Sequence, residues 1–193
     1  MKAMIKTIVA AAVLISVQAQ LPPPREAVRA NEVEMRKLEF LVGEWRGEGW
    51  GEPAPGERRP FDANESVQSR LNGAVLVLEG VHRSKVPGKQ AEVILHHGLS
   101  VISYDPQRKH YRFEAHQMDG RLEESPARLS NGVFEWSARE GPEGAETRFS
   151  IRLTDKGDWH QIGEFSQDGN WKKFFEMTLH RVSSRGEAER RRP

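Results

Sequence analysis

After Gly43 the sequence changes to a period of two and keeps it almost to the C-terminus. Phe61, Ala63 and Val67 alternate with Asp62, Asn64, Ser66 and Gln68. Tyr111, Phe113 and Ala115 alternate with His110, Arg112, Glu114 and His116, and Phe149, Ile151 and Leu153 with Arg148, Ser150 and Arg152. Val75 to Val81 is rich in branched apolar residues, and Trp171, Phe175, Met177 and Leu179 form a last run. Each pattern predicts a β-strand. From Val93 to Tyr104, Val, Leu and Ile occupy both parities, as expected of a strand buried on both faces. Tight-turn residues separate the runs: Asn72-Gly73, Pro87-Gly88, Asp105-Pro106, Asp119-Gly120, Asn131-Gly132, Gly141-Pro142, Lys156-Gly157 and Asp168-Gly169-Asn170. Asn-Gly and Asp-Gly favour hairpins, which join antiparallel neighbours.

Residues 44–180 leave room for roughly ten strands at ordinary strand-plus-turn spacing. No helical period interrupts them, which excludes a parallel sheet. So many short antiparallel strands must hide their edges. A closed up-and-down barrel does so, and it can enclose a small ligand. A two-sheet sandwich is the alternative; the meander of hairpins and a single capping helix favour the barrel. Gly47-x-Gly49-x-Gly51 then reads as relief for strand curvature rather than as a phosphate loop.

The capping helix is expected just before the first strand. Asn31 stands in N-cap position with Glu34 three residues on. Met35, Leu38, Leu41 and Val42 supply one apolar stripe, and Gly43 ends the helix. Ahead of it, Lys2 and Lys6 precede an apolar run from Ile8 to Val17 that is about ten residues long, too short to span a bilayer. Val17-Gln18-Ala19 suits signal-peptide cleavage. The expected organisation is a signal peptide over 1–19, a proline-rich spacer over 20–31, a barrel domain over 32–182 and an Arg-rich disordered tail over 183–193. The mature protein is expected in the periplasm or outside the cell, with no transmembrane segment. The chain contains no cysteine, so disulfides, thiolate metal sites and cysteine nucleophiles are excluded. The net charge of +1 comprises +2 from residues 1–19 and +3 from residues 181–193, which leaves −4 on the body between. An acidic body argues against a nucleic-acid partner.

The residues with possible chemistry are scattered. None of the seven histidines forms a His-x-x-x-His or His-Glu-x-x-His pair, so no metal site is expected from spacing. His96 and His97 are adjacent in a strand and must face opposite ways; His97, on the parity of Val93, Leu95, Leu99 and Val101, is favoured for the interior. Glu65 shares a face with Phe61, Ala63 and Val67, and Glu79 with Val75, Val77 and Val81. Glu164 and Glu176 lie in runs of large apolar residues. A glutamate inside a barrel anchors a polar ligand group or acts as a general acid, and otherwise pairs with a neighbouring arginine. Phe113, Trp136, Phe149 and Phe175 are candidates for a cavity lining, or for plain core packing. The candidate ligand-binding set is therefore Glu65, Glu79, His97, Phe113, Trp136, Phe149, Glu164 and Phe175.

Leu38-Glu39-Phe40-Leu41-Val42-Gly43-Glu44-Trp45 resembles the opening of lipocalin-like barrels, a short helix followed by Gly-x-Trp on the first strand. With Tyr104-Asp105-Pro106 and Phe174-Phe175-Glu176-Met177 it is similar to an uncharacterised bacterial family of ten-stranded calycin-like barrels, over roughly residues 33–180. The resemblance implies the fold and no particular reaction. The same opening is similar to nitrobindin-type barrels, which hold haem iron through a late histidine. Here the late histidines are His160 and His180, and a Pro53–Pro55 insertion departs from that pattern. Together these features lead to an exported barrel that binds a small apolar or amphipathic ligand, with no catalytic motif and no cofactor expected. The alternatives are an enzyme acting through a buried Glu or His, a haem barrel, and an envelope-associated protein using its Arg tail; the sequence is silent on oligomeric state.

Overall fold

The computed structural model describes residues 25–85, 91–140, 145–166 and 169–182. The signal segment, the spacer prolines 22–24, Pro87-Gly88, Gly141-Pro142 and the Arg-rich tail lie outside them. A helix, α1 (Arg25–Arg36), and a single 3-10 turn (Glu39–Leu41) precede ten strands: β1 (Gly43–Gly51), β2 (Arg59–Arg70), β3 (Val75–Lys85), β4 (Glu92–Asp105), β5 (His110–Gln117), β6 (Leu122–Ser130), β7 (Val133–Glu140), β8 (Ala145–Leu153), β9 (Trp159–Ser166) and β10 (Lys172–Arg181). Every strand pairs antiparallel with its sequence neighbours, and β1 also pairs with β10, so the meander closes into a barrel. Closure removes the unpaired edges that an open ten-stranded sheet would expose. Among the described residues no helix is long and apolar enough to cross a membrane.

Turn chemistry accounts for the hairpins locally. Ser130 pairs with Val133 across Asn131 (φ 51°) and Gly132 (φ 74°). Two consecutive positive φ values give the mirror-image turn whose twist matches a hairpin, and Asn-Gly is the pair that tolerates them. The seam between β1 and β10 depends on missing side chains. A Cβ at Gly47 would stand 2.1 Å from the Thr178 carbonyl oxygen, and one at Gly49 2.5 Å from that of Glu176. The glycine series on β1 thus lets the first and last strands approach, which is how the cylinder closes.

One end of the barrel is plugged. Met35, Leu38 and Leu41 are buried against Trp45, Trp159 and Leu179. A 12-residue helix is marginal alone, whereas each such buried side chain contributes about 1.5–3 kcal/mol. Polar contacts fix its placement. Trp45 Nε1 donates to the Leu41 carbonyl at 2.8 Å, and Asn31 Nδ2 to that of Tyr104 at 3.1 Å. The Tyr111 hydroxyl lies 3.1 Å from the Glu34 carbonyl and 3.0 Å from its Oε2. The guanidinium of Arg181 stacks 4.0 Å from the Trp45 ring centre and donates to the carbonyls of Phe40 and Val42, tying β10 to the plug.

Two expectations need correction. The helix begins at Arg25, so more than half of the expected spacer is helical, and Asn31 and Glu34 dock the helix on β4 and β5 rather than capping it. The segment Arg25–Arg36 contains no proline or glycine, and Glu26 suits the helix N-terminus. The strand containing Val93–Tyr104 is not buried on both faces: Val93, Ile94, Leu95 and Leu99 are all more than 40% exposed. Leu99 is on the outer face of the barrel, and Leu95 stands at the cavity.

Candidate ligand cavity

The strands alternate between filling the barrel and facing water, and the end away from the plug is only partly filled. There a cavity of about 1070 Å³ opens, floored by Ile151 and Trp159 and rimmed by the β1–β2 connection around Pro53–Pro55 together with Arg59, Arg121 and Lys172. Inward-facing glycines let lining side chains lie flat across neighbouring strands. A Cβ at Gly163 would stand 2.6 Å from Phe149, and one at Gly80 would stand 2.6 Å from both carboxylate oxygens of Glu65.

Aromatic rings form two tiers around this space. On β5, β7 and β8, Phe113 stacks on Trp136 with centroids 4.2 Å apart, and Trp136 on Phe149 at 5.3 Å. On β2, β3 and β10, Phe61 lies flat against His82 at 4.6 Å with ring planes 2° apart, and against Phe175 at 5.6 Å. Phe149 and Phe175 meet edge to face at 6.0 Å and join the tiers.

The polar centre is Glu65. Its residue is 8% exposed and His82 is 6% exposed, and His82 Nε2 lies 3.0 Å from Glu65 Oε1. Packing against Phe61 sets the imidazole plane, and the bond to Glu65 sets its rotation. His96 neighbours it, with centroids 4.8 Å apart. Burial, then the proximity of His82 and His97, lowers the His96 pKa to about 4, so that ring is neutral at neutral pH and offers one donor and one acceptor. Among the described residues no three His, Asp or Glu side chains are placed to share a metal ion.

Glu65, Phe113, Trp136, Phe149 and Phe175 line the cavity. Glu79, His97 and Glu164 do not. Glu79 and His97 pair with each other at 3.0 Å on the outer face, both roughly half exposed. Glu164 pairs with Arg148 at 2.7 Å, also outside, and Glu176 with His160 and Lys173. In β3 the inward parity belongs to Leu76, Leu78, Gly80 and His82, while the branched Val75, Val77 and Val81 cover the outer pleat beside Glu79. In β4 the inward residues near the cavity are His96, Gly98 and Ser100; the small ones leave the room, and the larger Leu99 faces out. His82, His96 and Phe61 are among the cavity residues absent from the expected set. Gly80 was the available signal, since a glycine inside an apolar strand marks a close approach.

His160 pairs with Glu176 and His180 with Asp158, both on the outer face, so neither reaches the cavity.

No family model matches the sequence, and no curated protein matches it. Among solved structures, the crystal structure of Rv2717c from M. tuberculosis is similar, with a TM-score of 0.55 and 16% identity over 77% of this chain and 97% of that one. At that identity the likeness establishes a shared fold, a closed antiparallel barrel.

Proposed function

We propose that the protein binds a small apolar or amphipathic molecule in the open half of its barrel, and that it belongs with the lipocalin-like (calycin-like) barrels whose opening it resembles. The observation that carries the binding reading is the cavity of about 1070 Å³ with aromatic walls and a single buried Glu65–His82 pair. Ligand sites are typically concave and largely apolar, with a few convergent polar groups that orient the guest. Binding by shape and burial requires no catalytic group, and three of the four glutamates considered from the sequence, Glu79, Glu164 and Glu176, are engaged in ion pairs on the outside. Native mass spectrometry of the purified protein tests the reading. The expected result is a co-purified small molecule, or a saturable change in tryptophan fluorescence on adding apolar ligands, because Trp136 and Trp159 face the cavity. A protein that retains no molecule and responds to no apolar ligand refutes it.

We further infer export, supported by the charged, apolar and Val17-Gln18-Ala19 segments of the N-terminus. N-terminal sequencing of the cell-envelope or secreted fraction is expected to start at Gln20. An intact Met1 in protein confined to the cytoplasm overturns that inference.

A further inference from the structure

We propose that the ligand is a flat aromatic molecule bearing one hydrogen-bond donor, which rests against the stacked rings and gives that donor to Oε2 of Glu65. This rests on the cavity being a ligand site and adds what the site selects.

The carboxylate is the least expected group in this cavity. It is more than nine-tenths buried, yet only Oε1 has a partner, His82 Nε2 at 3.0 Å. Among the described residues no donor stands within bonding distance of Oε2, and no arginine or lysine pairs with Glu65. Oε2 is not sealed in the protein interior: it borders the open cavity, where a donor on a guest can reach it. The surroundings nevertheless hold it in place. Gly80 has no side chain where a Cβ would meet both carboxylate oxygens at 2.6 Å, and His82 is fixed from its other side by the flat contact with Phe61. The arrangement is that of an acceptor held ready for a partner the chain does not provide.

The rings define the remainder of the guest. Phe113, Trp136 and Phe149 stack in nearly parallel planes, with interplanar angles of 22° and 17°, and Phe61, His82 and Phe175 stack likewise beside Glu65. Stacked faces favour planar π systems, which gain more from them than a flexible chain of equal area. A carboxylate directed at the same spot would meet an acceptor with an acceptor, so the donor end of an aryl amine, a phenol or a heteroaromatic N–H is selected.

Fluorescence titration of the full chain with 1-aminoanthracene and 1-methylanthracene separates the claims, because the two share size and ring system and differ in the donor. The amine is expected to bind about ten-fold tighter, the order of one hydrogen bond to a charged acceptor. Glu65→Leu is expected to bring the two within two-fold of each other while the methyl analogue binds as well or better. Where Glu65→Leu fails to fold, Glu65→Gln replaces it: with its carbonyl held by His82, its NH2 stands where Oε2 was, and the preference is expected to fall to two-fold or less. Equal binding of the two probes to the unaltered protein, or a preference that survives in the variants, overturns the donor assignment and leaves the cavity reading intact. Binding of neither probe overturns both.

Discussion

Replacing Gly47 by alanine tests the physical basis of barrel closure. The added Cβ would stand 2.1 Å from the Thr178 carbonyl oxygen, 2.9 Å from the Leu179 Cα and 3.0 Å from the Thr178 carbonyl carbon. All three are backbone atoms of β10, so no side-chain rotation relieves the clash, and β1 must separate from its partner. Overpacking that side chains can absorb costs about 1–3 kcal/mol. A backbone clash on the strand pair that completes the cylinder belongs at or above the upper end, about 3 kcal/mol. Gly51 lies on the same strand and the same parity, and a Cβ there meets nothing within 4 Å. Gly51→Ala is therefore neutral or stabilising by up to about 1 kcal/mol, since alanine has less backbone freedom to lose. Urea denaturation followed by circular dichroism measures both variants on one scale. In thermal unfolding, 3 kcal/mol corresponds to a fall in Tm of about 6–12 °C for a domain of this size. If Gly47→Ala and Gly51→Ala agree within 1 kcal/mol, the glycines are not what permits the seam to close.

Three further outcomes follow from the placement of particular groups. Glu79→Ala and His97→Ala remove partners of an exposed pair and Glu164→Ala a partner of a half-buried one, all on the outer face, so each is expected to change stability by about 1 kcal/mol or less and to leave probe affinity unchanged; a large affinity loss in the titration contradicts the inside–outside assignment. Arg181→Ala removes a stack on Trp45 and donors to the Phe40 and Val42 carbonyls, with an expected cost of about 1–3 kcal/mol by urea denaturation and a plug that becomes more sensitive to proteolysis near residue 40. His96, with its folded pKa of about 4 below the ordinary 6.5, takes up a proton more readily in the unfolded chain. Its contribution is complete above about pH 6.5 and is lost as the pH falls toward 4, so His96→Gln should flatten the decline of the urea midpoint across that window, and an unchanged slope refutes the assignment.

What could be read in the sequence was the backbone, and the reason lies in the turns. Asn131-Gly132 specifies its hairpin because few other pairs accept two positive φ values, and the alternation around Phe61, Phe113 and Phe149 names an inner face because polar partners fill the other. Closure into a cylinder followed from the need to hide edges. Inside and outside were harder to tell apart where both faces carry apolar residues. In β3 and β4 the valines and Leu99 cover the outer surface, so parity with apolar neighbours pointed Glu79 and His97 inward when the inward positions belong to Gly80, His82 and His96. An interior with a cavity inverts the usual signal, because the residues that make room are small or absent side chains and the residues that serve the guest are polar. Hydrophobicity therefore finds the filled half of such a barrel, around Trp45, Trp159 and Leu41, and loses the open half. There the informative residue is the glycine that a strand would otherwise avoid: the space over Gly80 is taken by the Glu65 carboxylate, and that over Gly163 by the Phe149 ring. Glycines within apolar runs, taken with the polar residues across the sheet from them, thus locate the candidate site where parity fails. Glu65 pairs directly with Gly80 in the β2–β3 register, so the glycine and the carboxyl group that fills the space above it are read together or not at all.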